Sequence, residues 1–132
     1  MAKSISTFLM FQKGDAEEAM NFYVSLLPGS SIASIERFGP DGPGKDGSVM
    51  TGILDLKGHT VMFLDSPVKH AFTFTPAASL FVECDGEEEV DRLFAALSDG
   101  GQVLMPLAAY PFAKRFAWIN DRFGVSWQLN LK

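Results

Sequence analysis

The chain has 132 residues, the size of one ordinary domain, and 47% of them are hydrophobic, which is enough to bury a core. The formal charge is −5, and because an acidic chain repels phosphate backbones we expect no nucleic-acid partner. No stretch approaches the roughly 20 apolar residues of a membrane span, so we expect no membrane partner either.

The N-terminal residues and the cysteine content predict a cytoplasmic location. Residues 1–5 lead directly into a strand-like run, without the apolar region of a signal peptide. Cys84 is the single cysteine, so no intramolecular disulfide can form, which is typical of a reducing compartment.

The first half of the chain predicts a strand, a helix and three further strands. Side chains alternate over residues 5–12 as in a strand, and acidic residues open a helix predicted over 15–27, which Gly29 ends. A Gly- and Pro-rich loop and a Lys57-Gly58 turn separate the later strands. These strands are predicted at residues 31–38, 48–56 and 60–65.

The second half repeats this order after an irregular connector. We predict a strand at 79–84, a helix at 87–97, and strands at 102–107, 115–119 and 125–131, with a loop at 108–114. The order βαβββ therefore occurs twice, which predicts an α+β fold with helices on one side of the sheets. We divide the single domain into a module at 1–65, a connector at 66–77 and a module at 78–132.

The helical segments indicate an internal duplication. Aligning Glu18 with Glu89, an offset of 71 residues, also pairs Phe22 with Leu93. Each copy has an acidic helix start after an apolar strand and a Gly-containing stop. Self-similarity at a fixed offset is the signature of a repeated module, and it allows equivalent positions to be compared.

Four segments resemble one protein family. They are FLMFQKGDAEEAMNFY (8–23), FTFTPAASLFVEC (72–84), EEVDRLF (88–94) and WINDRFGVSWQ (118–128). They are similar to the vicinal-oxygen-chelate superfamily of glyoxalase I, extradiol dioxygenases and bleomycin-resistance proteins, and more narrowly to its 3-demethylubiquinone 3-methyltransferase-like branch. The resemblance implies two βαβββ modules whose curled mixed sheets surround a shared cavity, with helices outside, commonly in a homodimer. The methyltransferase label implies little chemistry, because no Gly-rich nucleotide loop follows a strand.

The resemblance also implies where a metal would bind. Superfamily enzymes hold a divalent metal through His, Glu or Gln side chains at four equivalent strand positions, two in each module. The repeat offsets place these positions at Phe8, Met62, Ser79 and Gln128. Phe8 has no donor atom, Met62 has a soft thioether, and only Gln128 is a competent ligand. We therefore predict no metal at the usual site and no cofactor.

Strand alternation predicts the side chains that face the cavity, which are mostly apolar with a few neutral hydrogen-bonding groups. Such a surface suits a small, partly apolar molecule better than it suits the activation of water. The residues around the predicted 108–114 loop could form a lid with aromatic anchors and cationic groups, although core packing of Phe112 and Trp118, with Lys114 and Arg115 in solvent, is the favoured interpretation. The lid residues are Tyr110, Phe112, Lys114, Arg115 and Trp118. The predicted ligand-binding residues are Phe8, Met10, Met62, Ser79, Phe81, Glu83, Tyr110, Trp118 and Gln128.

The remaining reactive side chains each have a plain structural interpretation. His59 falls in a hairpin turn and His70 in the connector, and neither has a partner at ligand spacing. Glu83 is either a solvated carboxylate at a strand end or a general acid or base with a raised pKa. Cys84 falls on the helix-facing side of its strand, where we expect an inert thiol.

These observations favour a small-molecule-binding protein of the glyoxalase/bleomycin-resistance type that lacks the usual metal ligands and forms a homodimer. The alternative is an enzyme, either a lyase or dioxygenase with nonstandard metal ligands or a metal-free catalyst that uses Glu83. A third hypothesis is a structural protein whose vestigial cavity is filled by Phe8, Met10, Met62 and Phe81. The sequence leaves open whether any reaction is catalysed.

Overall fold

The computed structural model describes all 132 residues and contains two helices and two four-stranded mixed sheets. The order is βαβββ twice, which confirms the predicted α+β fold. Residues 1–73 and 74–132 form two compact units. No helix is both long and apolar enough to cross a membrane. The elements are β1 (Thr7–Phe11), α1 (Ala16–Leu26), β2 (Ser31–Arg37), β3 (Val49–Leu56), β4 (His59–Asp65), β5 (Ser79–Glu83), α2 (Glu87–Ser98), β6 (Gln102–Tyr110), β7 (Ala113–Asn120) and β8 (Ser126–Leu131).

The sheet of the first unit has the strand order β1-β4-β3-β2. β1 runs parallel to β4, and the other neighbours are antiparallel. Lys57 and Gly58 form the turn between β3 and β4, with φ angles of 53° and 91°. Two successive positive φ angles give the backbone twist that a two-residue hairpin favours. The predicted hairpin is therefore confirmed.

Helix α1 packs on this sheet through an apolar stripe. Met20 and Tyr23 are fully buried, and the ring of Tyr23 lies 6.0 Å from that of Phe63 on β4. Met20 reaches the backbone of Gly52 on β3, where an added Cβ would lie 2.6 Å from its sulfur atom. Helical spacing in the sequence predicts a stripe of Ala19, Phe22, Tyr23 and Leu26, without Met20, but Phe22 is only half-buried. Met20 is buried because Gly52 has no side chain and leaves room for the long thioether.

A buried carboxylate connects three elements of the first unit. Asp65 at the end of β4 is 5% exposed, and its carboxylate oxygens accept hydrogen bonds from the backbone N–H groups of Ala16 (3.0 Å) and Val49 (2.9 Å). Asp15, the residue before α1, makes no such bond with its side chain. The free N–H groups at a helix start need an acceptor, so Asp65 caps α1 from a distant part of the sequence.

The sheet of the second unit has the equivalent order β5-β8-β7-β6, with β5 parallel to β8. Helix α2 buries Val90, Leu93 and Leu97 and packs on β7 and β8. On those strands Ile119 and Trp127 are almost completely buried. Each unit is thus a helix packed on one face of a mixed sheet.

The predicted loop at 108–114 is wrong. β6 continues to Tyr110 and β7 begins at Ala113, so only Pro111 and Phe112 lie between them. Three irregularities of register interrupt the pairing of β6 with β7, and β6 is an edge strand that contains Pro106. Bulges disturb the alternation of side chains, and proline is tolerated at sheet edges, so the usual sequence signs of a strand are weak here.

The turn between β7 and β8 is held by Asp121, which is 3% exposed. One carboxylate oxygen accepts hydrogen bonds from the backbone N–H groups of Phe123 (2.9 Å) and Val125 (3.0 Å). The other accepts the indole N–H of Trp127 at 2.9 Å. A carboxylate that accepts several such bonds fixes both the turn and the orientation of the buried indole.

Candidate ligand-binding site

A pocket of about 440 Å³ lies on the second sheet. Arg115 of β7 forms an ion pair with Asp91 of α2, so the alternate residues Phe116 and Trp118 lie on the face away from the helix. The pocket is on that face and combines aromatic rings, a thioether and two primary amides. Its lining residues are Phe81, Met105, Phe112, Phe116, Trp118, Gln128 and Asn130.

Three aromatic rings at the β6–β7 turn form one wall of the pocket. The rings of Phe112 and Phe116 are 5.0 Å apart at an angle of 78°, and Tyr110 stacks on Phe112 at 5.5 Å. The hydroxyl of Tyr110 donates to the carbonyl of Pro106 at 2.6 Å. Tyr110 therefore supports the wall from outside the lining, whereas the predicted lid gave it direct contact with the ligand.

Hydroxyl groups connect the polar residues at the base of the pocket. The indole N–H of Trp118 donates to Ser126 Oγ at 2.9 Å, and Ser126 Oγ lies 2.7 Å from Ser79 Oγ. Gln128 Nε2 donates to Ser79 Oγ at 3.3 Å. The three predicted site residues Ser79, Trp118 and Gln128 thus meet in one network, which Ser126 completes.

A second polar pair lies one step further along the same strands. Asn130 of β8 is opposite Glu83 of β5, and its Nδ2 lies 3.0 Å from both carboxylate oxygens of Glu83. Asn130 is 8% exposed, whereas Glu83 is an exposed residue. The carboxylate of Glu83 contacts an amide that lines the pocket, and Glu83 itself is outside the lining.

The other predicted site residues lie in the first unit. Phe8 of β1 is opposite Met62 of β4, and Met10 is opposite Leu64, so these side chains share one face of that sheet. Phe8 is 53% exposed. Their contact with a ligand remains a prediction.

The strand register corrects one of the repeat-based equivalences. Phe8 lies opposite Met62, but the residue opposite Gln128 is Phe81, while Ser79 lies opposite Ser126. If Met62 and Gln128 are equivalent, the counterpart of Phe8 is Phe81. Phe8 and Phe81 are 73 residues apart, two more than the offset of 71 measured on the helices, so the helix offset fails on the strands.

The donor set at these positions does not fit a divalent metal. Phe81 adds no donor atom, so Gln128 is again the one competent ligand. No group of three or more His, Cys, Asp or Glu side chains gathers anywhere in the chain. Of the two histidines, His59 contacts Thr7 Oγ1 at 2.9 Å and His70 stacks on Phe72 at 4.7 Å.

Cys84 is buried at the end of β5, and its environment opposes ionisation. Burial, followed by the charge of Glu89, raises the pKa of the thiol to about 11. Because the thiolate is the nucleophilic form, this position suits an inert thiol better than a catalyst.

Sequence reasoning missed four of the lining residues as members of the site. Phe116 alternates with Trp118 on β7, so the strand period alone could have indicated it. Met105 lies between two register irregularities of β6, where alternation gives no guide. Core packing is the favoured sequence interpretation of Phe112. Strand alternation in the sequence places Asn130 on the cavity face with Gln128, but the predicted ligand-binding set omits it.

A family model and several known structures are similar to this chain in sequence and fold. A family model for 3-demethylubiquinone-9 3-methyltransferase matches residues 3–130. The PhnB protein of Bacillus cereus, which carries the same methyltransferase name, is 55% identical with a TM-score of 0.95, and the match covers 98% of this chain and 100% of that one. Protein PA1353 of Pseudomonas aeruginosa is 30% identical with a TM-score of 0.85, covering 99% and 98%. A comparison with curated proteins gave no match.

A more distant structure shares the fold. TnmS3, an antibiotic binding protein from Streptomyces sp. CB03234, is 21% identical with a TM-score of 0.58, and the match covers 99% of this chain and 98% of that one. The family model and the Bacillus protein both match nearly the full length of the chain. The chain therefore belongs to the 3-demethylubiquinone-9 3-methyltransferase-like family of the vicinal-oxygen-chelate superfamily.

Proposed function

We propose that this protein is a cytoplasmic binding protein that holds a small, partly apolar molecule in the pocket of the second sheet, without a metal. The observation that carries the proposal is the pocket itself, in which five apolar or aromatic side chains surround two amides. Its volume of about 440 Å³ lies within the range of small-molecule sites, and such sites combine apolar walls with few polar groups. The antibiotic-binding protein TnmS3 shows that this fold can serve such a purpose.

The aromatic wall supports a flat ligand in particular. Phe81 and Phe112 are 58% and 62% exposed, which is unusual for phenylalanine unless the surface is covered by another molecule. The rings of Phe112 and Phe116 lie nearly at right angles, so a planar ligand can contact the face of one ring and the edge of the other.

Binding is tested with the fluorescent probe 8-anilinonaphthalene-1-sulfonate. We expect Phe81→Ser to weaken binding about tenfold, because the substitution removes an apolar contact at an exposed strand position. Phe72→Ser is the matched control, since Phe72 is equally exposed at 60% but lies outside the pocket. Equal losses in both variants would contradict the proposed site.

Two further variants locate the site more closely. Phe8→Ser tests the predicted contribution of the first unit, because Phe8 is also an exposed phenylalanine and lies opposite Met62 of β4. Trp118→Phe leaves Trp127 as the one tryptophan, and Trp127 is buried against Asp121. We expect this variant to bind the probe more weakly, because Trp118 lines the pocket, while the fluorescence of Trp127 shows that the fold is intact.

The absence of a metal is tested by elemental analysis of protein purified without chelators or a metal-binding tag. We expect less than about a tenth of an equivalent of any divalent metal per chain, since one competent ligand cannot hold an ion. Near one equivalent of a single metal would favour an enzyme, and Gln128→Ala would then show whether Gln128 is a ligand.

We also propose that the protein forms a homodimer, as the family resemblance implies. Apolar side chains such as Phe8, Val68 and Val103 are exposed in both units. Large exposed apolar surfaces are typical of association sites. Light scattering should give twice the 14.4 kDa of one chain, and a monomer at micromolar concentration would contradict this part of the proposal.

A further inference from the structure

The pocket contains an amide whose orientation is fixed by a charged neighbour. Asn130 Nδ2 contacts both carboxylate oxygens of Glu83 at 3.0 Å. An ionised carboxylate can only accept hydrogen bonds, so the amide must turn its NH₂ group toward Glu83. The carbonyl oxygen Oδ1 is thereby left on the other side of the amide, and Asn130 lines the pocket.

This orientation leaves Asn130 as an acceptor without a donor. Its Oδ1 accepts no hydrogen bond from the protein. The one fully buried side-chain polar atom without a partner is Asn120 Oδ1, so Asn130 Oδ1 keeps some accessible surface on a residue that lines the pocket. The indole N–H of Trp118, which could have supplied a donor, is already used by Ser126. A ligand that fills the pocket without a donor would leave Oδ1 desolvated and unpaired, which costs affinity.

Gln128 provides an informative contrast. Its amide contacts the hydroxyl of Ser79, and a hydroxyl can donate or accept, so Gln128 can present either end of its amide to a ligand. Gln128 is therefore adaptable, whereas Asn130 is restricted to one role. Specificity in the pocket should depend on Asn130 more than on Gln128.

We propose that Asn130, positioned by Glu83, selects aromatic ligands that carry an N–H or O–H donor over equally shaped ligands that carry acceptors alone. This inference rests on the proposed binding function and specifies the chemical class of the ligand. Asn130 is the specificity-determining contact, and Glu83 is a positioning residue that acts through it.

The test compares 2-naphthol with 2-methoxynaphthalene by calorimetric titration at pH 7. Both probes are neutral bicyclic aromatics, but the ether has no donor. Because the ether is the more apolar of the two, plain hydrophobic burial would favour it. We expect the native protein to bind 2-naphthol about tenfold more tightly, the effect of one hydrogen bond to an otherwise unpaired acceptor.

Two variants test the proposed pair, and Gln128→Leu serves as the comparison. Asn130→Leu keeps the size of the side chain and removes the acceptor, so we expect the naphthol preference to disappear while the ether binds at least as well. Glu83→Gln replaces a pure acceptor with an amide, which allows Asn130 to turn either way. We expect this exposed substitution to leave stability unchanged and to reduce the preference severalfold, and Gln128→Leu to reduce it less than Asn130→Leu does.

The outcomes separate this inference from the proposed function. Equal binding of both probes, or tighter binding of the ether, would overturn the role of Asn130 while the pocket remained a binding site. A naphthol preference that survives in Asn130→Leu would likewise overturn it. Failure of both probes and of the anilinonaphthalene probe to bind would overturn the proposed function, and the inference with it.

Discussion

The two units share a fold but differ on the sheet face away from the helix. In the first unit the pairs Phe8–Met62 and Met10–Leu64 on this face have no side-chain oxygen or nitrogen, and the polar side chains Thr60 and Asp55, which are opposite each other, lie at the other end of β4. In the second unit the corresponding strands carry serine hydroxyls, two amides and a carboxylate that are hydrogen-bonded across β5 and β8. Topology is the same in both, so the units differ in the polar side chains that are paired across the two parallel strands.

This difference shows which part of a repeated module is constrained. The helix-facing side must remain apolar in both units, because burial of Phe63 and Val61, or of Trp127 and Leu129, holds the helix on the sheet. The other face does not pack against the helix of its unit, so its side chains are not required to be apolar. It can therefore differ between the units, and in the second unit it carries hydrogen-bonded polar side chains.

The units also differ in where a buried carboxylate is used. Asp65 caps the helix of the first unit, whereas Asp121 organises the last hairpin of the second. These are not equivalent positions of the repeat. Stability of each unit should therefore depend on a different residue, and substitutions can test that comparison.

The largest effect is expected for Asp121→Ala. Two backbone N–H groups and the indole of Trp127 would lose their acceptor in a buried turn, which should lower the free energy of unfolding by about 3 kcal/mol or more. Denaturant unfolding followed by fluorescence measures this loss, and Trp127 reports on the same turn.

Asp55→Ala is the matched control in the other hairpin. Asp55 accepts a hydrogen bond from the backbone N–H of Gly58 at an exposed turn. Water can replace this acceptor, so the loss should be about 0.5–1 kcal/mol. Similar losses in the two variants would contradict the difference between the hairpins.

A loss of about 2 kcal/mol is expected for Asp65→Ala, because the buried N–H groups of Ala16 and Val49 would both lose their acceptor. Asp15→Ala is the control, since Asp15 precedes the helix but makes no cap with its side chain. Burial raises the pKa of Asp15, so its charge is unfavourable in the folded state, and its removal should not destabilise the protein. If denaturant titrations showed a larger loss of stability for Asp15→Ala than for Asp65→Ala, Asp15 would be the cap of the helix.

Gly52→Ala should cost about 1–2 kcal/mol, because the new methyl group would lie 2.6 Å from the sulfur of Met20 in a close-packed core. In a Met20→Ala background the same substitution should cost much less, and a double-mutant cycle measures that coupling. Gly39→Ala, where the methyl group meets nothing within 4 Å, is the control. Additive losses would mean that Met20 does not limit the space at Gly52.

The smallest effect is expected for the surface ion pairs, one in each unit. Arg37 binds both carboxylate oxygens of Glu17 (2.6 and 2.9 Å), whereas Arg115 makes one contact with Asp91 (3.0 Å). The paired geometry predicts that Arg37→Ala shifts the unfolding midpoint slightly more than Arg115→Ala, and that high salt removes both shifts.

The same pair has a defined pH dependence. The hydrogen bond from Arg37 lowers the pKa of Glu17 below its ordinary value of 4.5. The folded state therefore gains stability that is fully present above pH 4.5 and is lost as the pH falls through the lowered value. Comparing native protein with Glu17→Gln across this range should show the difference vanish in acid, and a difference that grew toward low pH would contradict the assignment.

Local patterns in the sequence determined most of the fold. The helices follow from acidic starts, apolar spacing and glycine stops, and the Lys57-Gly58 hairpin follows from two residues suited to positive φ. These signals lie within a few residues of the structure that they specify. The repeat and the family resemblance then gave the order βαβββ twice.

Only the tertiary structure decided the composition of the pocket. Bulges in β6 concealed the continuous β6–β7 hairpin and the position of Met105 in the pocket lining, and the strand register moved the counterpart of Phe8 from Ser79 to Phe81. The orientation of Asn130 depends on Glu83, which is 47 residues away in the sequence. Strand register and hydrogen-bond direction are set by contacts between distant segments, and neither leaves a local pattern in the sequence for a reader to find.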